Sequence, residues 1–371
     1  MIKKIHSVKK ELLLIKLFIT LIILLVCVNL FAMFSIAGGV VDHLVNKQIS
    51  ITLISLLIAF IFSIINIRFI FSNSYYIYLL VLLSLVITDL LGYKAMGAKR
   101  WINLGFINIQ PSEFMKIAVI LALSRFFHNC HINNIKKYRH LLFPLVVILL
   151  PTLLILKQPN LGTSLIIILT SLTILFIAGV KIQLFICLGL STILSLPVIW
   201  RFLHDYQKAR ILTFLDPSSD TLGAGYNIIQ SIISIGSGGL FGKGFLKGSQ
   251  NQLDFLPENH TDFIFGLIAE EGGFILCSLL LVTYSLIIII MYIISIQCLS
   301  HFYRIFILGF ASLLFFHIVI NIGMISGLLP VVGVPLPLLS YGGSNYLSIM
   351  IGIGLVINIY LNKTKILSKG S

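Results

Sequence analysis

Few side chains in this 371-residue sequence could do chemistry, and the densest group of them spans residues 249–262, SQNQLDFLPENHTD. It ends with His260 and Asp262 directly before a long apolar stretch, so the Asp262 carboxylate is expected at the boundary between water and membrane. With Glu258 nearby, that carboxylate could accept a proton as a general base. The alternative is structural, because Thr261 or Asp262 could instead cap the following helix.

A second polar group lies in residues 97–116, GAKRWINLGFINIQPSEFMK. Glu113 and Lys116 are three positions apart and share one helix face, either as a structural ion pair or as part of a polar pocket. Arg100 stands beside Trp101. Arginine is the preferred partner of a phosphate group, but an Arg next to a Trp is also an ordinary anchor at a membrane interface.

Residues 236–244, GSGGLFGKG, look at first like a loop that binds nucleotide phosphates. The pattern GxxxxGK[ST] would need Gly at 237 and Ser or Thr at 244, where Ser237 and Gly244 stand. An ATP site is therefore not expected. We interpret the segment as a glycine-bearing turn beside a ligand at the membrane surface, with Lys243 available to a phosphate group.

The apolar stretches that must position these residues are long and numerous. Hydrophobic residues make up 58% of the chain and charged residues only 10%, against roughly 25% in soluble domains, so lipid is the expected solvent. Because a spanning helix needs about 20 apolar residues, the sequence predicts an all-α, polytopic membrane protein with about ten transmembrane helices, forming a single domain over 1–371. The expected spans are 12–37, 49–71, 75–91, 111–128, 141–156, 163–179, 183–202, 263–296, 302–327 and 339–361, the first as a retained anchor rather than a cleaved signal peptide.

The distribution of charge predicts how the chain is oriented. If both termini are cytoplasmic, fifteen Lys and Arg residues fall in inner segments and five in the short outer loops, as the positive-inside rule requires. Eleven of the twelve acidic residues then fall at or toward the outer face. The net charge of +14 therefore reflects membrane orientation, and no nucleic-acid partner is expected.

Two interruptions of the apolar pattern stand out. The long extracytoplasmic loop between helices 7 and 8, residues 203–262, contains the apolar stretch 226–235, which is too short to span and is expected to lie in the interface or to re-enter the bundle. Residues 326–345, SGLLPVVGVPLPLLSYGGSN, place three prolines where a span should begin. Non-helical backbone at membrane depth is tolerated only inside protein or along a cavity, so this segment should line a cavity.

Five stretches, read in order, resemble the SEDS (shape, elongation, division and sporulation) family, and in particular its RodA-like branch. They are GAKRWINLGFINIQPSEFMKIA, QPNLGTS, FLDPSSDTLGAGYNIIQSIISIGSGGLFGKGF, GSQNQLDFLPENHTDFIFGLIAEEGG and NIGMISGLLPVVGVPLPLLSYGGSNYL. The resemblance implies a peptidoglycan glycosyltransferase that polymerises lipid II at the outer face of the cytoplasmic (inner) membrane during cell elongation and rod-shape maintenance. It also implies a class B penicillin-binding protein and other elongation-complex proteins as partners, with lipid II and membrane lipid as ligands.

The resemblance also assigns residues. Asp262 matches the family's essential aspartate in HTDF, and Arg100, Glu113 and Lys116 match polar residues of its central cavity. One position departs: the family usually has Asp in its PDxGT motif, where Asn160 stands here, so the role of that side chain is open.

As a mechanism, we expect Asp262 to take the proton of the attacking sugar hydroxyl, with inversion at the anomeric carbon. Positive charge must then meet the departing pyrophosphate. The candidate cations are Arg100, Lys116, Arg210 and Lys243; His260 completes the substrate-binding candidates. No cofactor is certain; a divalent cation (Mg²⁺ or Mn²⁺) would aid the departure, but no metal ligands are assigned.

Three other functions stay open at this point. A lipid II flippase would also use broken helices and intramembrane charges, a division-type paralogue would share the motifs, and a scaffold for the penicillin-binding protein would need none of the chemistry.

Overall fold

The computed structural model describes residues 2–95, 98–103, 108–131, 135, 137–202, 205–220, 223–249 and 260–368. The chain is mainly helical. Its helices are α1 (Ile2–Ile36), α2 (His43–Ile64), α3 (Ile67–Leu91), α4 (Pro111–Asn129), α5 (Leu142–Lys157), α6 (Leu161–Ile177), α7 (Ile182–Phe202), α8 (Asp205–Leu215), α9 (Ala224–Ser237), α10 (Ile264–Gln297), α11 (His301–Ile325) and α12 (Gly343–Leu361).

Each of the ten predicted spans overlaps one of these helices. Within the described residues, seven helices are long and apolar enough to cross a membrane, namely α1, α2, α3, α5, α10, α11 and α12. Helix α6 and the apolar part of α7 are shorter, and α4 carries three charges, on Glu113, Lys116 and Arg125. A polytopic membrane protein is therefore present, while the count of ten crossings stays a prediction.

The all-α expectation is wrong in one place, the polar connection before α4. Three short strands there form an antiparallel sheet, namely β1 (Tyr93–Ala95), β2 (Ala98–Asn103) and β3 (Asn108–Ile109). Near lipid, backbone N–H and C=O groups outside helices must find hydrogen-bond partners within the protein. The pairing of these strands provides such partners in the connection. The sheet also carries Arg100 toward the bundle.

Helix α4 lies at the centre of the bundle, in contact with α3, α6, α11 and α12. From Pro111 to Ser124 it is buried at every position except Phe114. Its charged residues therefore face other helices and not lipid, which is the arrangement that makes intramembrane charge tolerable. Proline at its first position suits the start of a helix because that N–H has no helical partner.

Helix α10 is broken at Gly273, whose φ of +66° lies in the left-handed region. The glycine-rich turn 238–244 packs into this break: Lys243 N donates to Glu270 O at 2.9 Å, and Phe274 N donates to Gly239 O at 2.9 Å. A Cβ on Gly273 would come within 2.2 Å of Gly242 N. The glycines of this turn thus permit close backbone contact, a structural task that the sequence pattern alone did not reveal.

The predicted apolar stretch 226–235 lies in helix α9, which packs on the bundle. Ser234 Oγ donates to Gly266 O at 2.9 Å, and Ser231 Oγ donates to Ile325 O at 2.8 Å. Both serines are buried. Helix α9 is therefore attached to the start of α10 and the end of α11, the region that contains Asp262.

Candidate active site

The N-terminal turns of α4 contain a buried polar network. Lys116 Nζ donates to Glu113 Oε2 at 2.8 Å, and Thr163 Oγ1 of α6 donates to the other carboxylate oxygen at 3.4 Å. Lys116 Nζ also contacts His317 Nε2 of α11 at 2.9 Å. Lys116 is 2% exposed and Glu113 is 4% exposed, so the predicted pair exists and is enclosed by protein.

His317 connects this network to the broken segment before α12. Its Nδ1 lies 3.1 Å from Pro335 O. Because a carbonyl oxygen can only accept, Nδ1 carries the proton, and Nε2 is then the acceptor for the Lys116 ammonium. One turn further along α11, Asn321 Nδ2 donates to Val334 O at 2.7 Å and to Asp262 O at 2.9 Å.

Residues 332–335 of the broken segment lie between Asp262 and the start of α6. A Cβ on Gly333, where φ is +72°, would come to 3.5 Å from Asp262 Oδ2, and a Cβ on Gly162 would come to 2.7 Å from Val332 O. The segment thus packs against protein on both sides, and its lining of a cavity stays a prediction. Residues 332–335 therefore connect the Asp262 region with the Lys116 network.

Asp262 itself is half-buried, in the turn that precedes α10. The residue at the N-cap position is Phe263, which makes no capping hydrogen bond through its side chain. Asp262 lies one position before it. His260 is anchored close by: its carbonyl accepts from Tyr341 N at 2.8 Å, and its ring lies 5.6 Å from the Tyr341 ring. Glu258 lies outside the described residues.

Arg100 on β2 donates hydrogen bonds to the turn between α5 and α6. Its Nε donates to Gln158 O at 2.9 Å, and its Nη2 donates to Pro159 O. The next residue, Asn160, caps α6 by accepting from Thr163 N at 3.3 Å. Asparagine performs this capping as well as aspartate does, so the departure from the family pattern leaves the start of α6 intact.

The remaining predicted cations lie apart from the Lys116 network. Lys243 Nζ pairs with Glu270 Oε1 at 2.6 Å and contacts Ser249 Oγ at 2.8 Å. The Glu270 side chain is fully buried and balances the charge of Lys243, whose contact with a phosphate stays a prediction. Arg210 is half-exposed on α8.

Sequence reasoning missed His317 and Asn321. Both are polar residues in the middle of an apolar helix, and their spacing of four residues puts them on one face. Polar groups inside a span usually face the bundle interior and mark functional sites. That signal was available in SLLFFHIVINIGM.

Within the described residues, no group of three or more His, Cys, Asp or Glu side chains could hold a metal ion. Among the described residues, the carboxylates near the network include Glu113, which is paired with Lys116, and Asp262. The cation therefore stays a prediction.

Comparison with known proteins identifies the family. The FtsW/RodA/SpoVE cell cycle protein family matches residues 10–365. The fold and site described above are therefore those of a polytopic membrane protein of this family. The chain is 46% identical over 298 residues to the peptidoglycan glycosyltransferase MrdB of Escherichia coli K12, covering 79% of each chain. It is 37% identical over 286 residues to the stage V sporulation protein E of Bacillus subtilis, covering 75% of each.

Solved structures agree with the sequence relatives. A chain from a peptidoglycan synthase complex that coordinates polymerization and crosslinking matches with a TM-score of 0.82 and 31% identity, covering 94% of this chain and 98% of that one. The rod shape determining protein RodA of Thermus thermophilus matches with a TM-score of 0.70 and 25% identity, covering 94% and 97%. This chain belongs to the FtsW/RodA/SpoVE family, and its relatives and neighbours include RodA-type members.

Proposed function

We propose that the assembly around Asp262 polymerises lipid II into glycan strands at the outer face of the cytoplasmic membrane during cell elongation. The activity class, peptidoglycan glycosyltransferase, is that of the family relatives at 35–46% identity. The observation that carries the site assignment is the connection from Asp262 through residues 332–335 to the buried Lys116–Glu113 pair. Without this connection, Asp262 would be a single carboxylate with nothing to relate it to the buried pair.

In this reaction the hydroxyl oxygen of an acceptor sugar bonds to the anomeric carbon of the donor as the bond from that carbon to the pyrophosphate breaks. Asp262 takes the hydroxyl proton. The carboxylate is half-buried and its backbone is held by Asn321. These features fix its position relative to Gly333, where the absence of a side chain leaves room beside the carboxylate oxygen.

Positive charge for the departing pyrophosphate comes from the cations around this end of the bundle. Arg100 is half-exposed and belongs to the sheet that covers the α6 start. Lys116 is enclosed and reaches residues 332–335 through His317, so it acts on the site by holding that segment. Lys243 and Arg210 contribute at longer range, Lys243 after release from Glu270.

The membrane orientation is part of the same proposal. Ten crossings, with both termini cytoplasmic, bring the start of α4, the start of α6, the turn before α10 and the segment before α12 to the same end. The asymmetry of Lys and Arg supports assigning that end to the outside. This arrangement is consistent with polymerisation of lipid II at the outer face of the cytoplasmic membrane.

A class B penicillin-binding protein, which crosslinks the strands, is the proposed partner. Support comes from the structural neighbour, which is a chain of a complex that coordinates polymerization with crosslinking.

Proteoliposomes containing lipid II distinguish this function from transport. We expect the purified protein with its class B partner to form glycan strands on lipid II that is already in the outer leaflet, and Asp262→Asn to form none. Accumulation of lipid II in the opposite leaflet without polymer would contradict the proposal and support a flippase.

A further inference from the structure

A cavity lies at the end of the bundle opposite to the Asp262 site. It is a cleft of about 710 Å³ between the end of α4, the end of α6 and the beginning of α11. Glu113 and Thr163 are near the starts of α4 and α6, and Asn321 is near the end of α11. The three helices therefore separate this cleft from the proposed active site by most of their lengths.

The cleft has a polar mouth and an apolar interior. His131, which follows α4, and His301 and Arg304, in the first turn of α11, line the mouth and are exposed. Ile305 and Leu308 follow one turn deeper along α11, and Phe127 lies deeper along α4. The buried His128 lies beside Phe127, and its Nδ1 accepts from Phe302 N. The α11 wall of the cleft thus changes from polar at the mouth to apolar inside, as an amphiphile does from headgroup to acyl chain.

The charge at the mouth has a single sign. All residues that line the cleft come from 127–135, 177–178 and 301–308, and the sequence contains no Asp or Glu in either 114–204 or 272–371. No carboxylate from these stretches can balance Arg304. Its Nε donates to Cys298 O at 2.8 Å, which holds the guanidinium beside the mouth.

We infer that this cleft binds an anionic phospholipid, with the phosphate at Arg304 and His301 and the upper part of an acyl chain against Ile305 and Leu308. Arginine is the residue best suited to a phosphate group, and basic pockets between transmembrane helices on the cytoplasmic side bind anionic lipid headgroups. The volume lies within the range of ligand pockets, about 300–1,000 Å³, and a free phosphate would leave the apolar interior unfilled. The cytoplasmic placement of the cleft rests on the membrane orientation given with the proposed function, whereas lipid binding at the cleft does not require polymerisation.

The test is titration of phosphatidylglycerol and phosphatidylcholine onto delipidated, detergent-solubilised full-length protein, followed by native mass spectrometry. We expect preferential retention of phosphatidylglycerol. Arg304→Gln should lower that affinity about fivefold, since a cation near an anionic headgroup contributes about 1 kcal/mol, and Arg304→Lys should retain most of it. Arg139→Gln removes an exposed cation from the same end outside the cleft and should change the affinity less than about twofold.

Several results would overturn the assignment. Equal retention of the two lipids, or wild-type affinity in Arg304→Gln, would show that the cleft does not select anionic headgroups. Equal loss in Arg304→Lys and Arg304→Gln would show that charge is not the cause. Displacement of the lipid by glycerol 3-phosphate would indicate a water-soluble anion. Leu308→Trp, which fills the interior without changing charge, should also weaken lipid retention, and unchanged retention would remove the acyl-chain contact.

Discussion

The two ends of this helix bundle differ in how their positive charges are balanced. At the Asp262 end, Lys116 pairs with Glu113 and Lys243 with Glu270, and each pair includes a nearly or fully buried carboxylate. At the other end, Arg304 borders a cleft whose walls come from sequence without acidic residues. The first end is organised by internal ion pairs and hydrogen bonds, whereas the second leaves its charge to an external anion.

The largest effect should come from breaking the buried pair. Lys116→Met leaves the Glu113 charge enclosed without its partner, and such a loss costs about 3–5 kcal/mol. We expect a large fall in thermal stability in detergent and loss of polymerisation. In the double variant Glu113→Gln/Lys116→Met, stability should largely return while polymerisation stays low. Equal stability of the single variant and the wild type would mean that the pair is not enclosed.

Replacement of His317 should give the next largest effect. His317→Leu removes the acceptor of Lys116 and the donor to Pro335, and hydrogen bonds to charged groups contribute about 1.5–3 kcal/mol. We expect kcat of polymerisation to fall about tenfold or more, with KM for lipid II nearly unchanged, because a positioning residue acts through its neighbours. His317→Gln can both donate and accept and should restore part of kcat. If Leu and Gln variants behave alike, the link to residues 332–335 is unimportant.

The break in α10 should give a smaller effect at the Asp262 end. Gly273→Ala places a Cβ on left-handed backbone and against Gly242, and strained backbone of this kind costs about 1–3 kcal/mol. We expect a lower unfolding temperature in detergent. Gly236→Ala in α9 is the matched control, since a Cβ there meets nothing within 4 Å and alanine favours helix. Equal effects of the two substitutions would contradict the packing described for the break.

The smallest effect should come from an exposed ion pair. Lys157 Nζ lies 2.7 Å from Asp89 Oδ2, but the Lys157 side chain is 68% exposed. Lys157→Gln should change stability by less than about 1 kcal/mol, since water screens such pairs, and polymerisation should be unaffected. A loss comparable with that of Lys116→Met would show that burial is not what separates the two pairs.

The sequence predicted what depends on local spacing and composition. Hydropathy placed the helices, and the three-residue spacing of Glu113 and Lys116 predicted their pair. The partners of that pair, Thr163 and His317, are 50 and 201 residues away from Glu113 and Lys116 respectively, so no local pattern reveals them. The same holds for Asn321, which reaches Asp262 from 59 residues away.

Two features of the fold are not visible in local patterns. The glycine-rich turn with Lys243 packs into the break in α10, and glycine patterns do not show whether backbone approaches a phosphate or another segment of backbone. The strands 93–95, 98–103 and 108–109 are short and lie in a polar connection, so no strand pattern predicts them. The family resemblance supplied what spacing could not, namely the assignment of Asp262 as the candidate base.

The most direct test of the proposed site compares Asp262→Asn with wild type, each purified with the class B partner and supplied with lipid II. The substitution keeps the size of the side chain and removes its ability to accept a proton as a carboxylate. We predict that lipid II still binds while glycan strands fall to background. Strands formed by Asp262→Asn at the wild-type rate would contradict the assignment of Asp262 as the base.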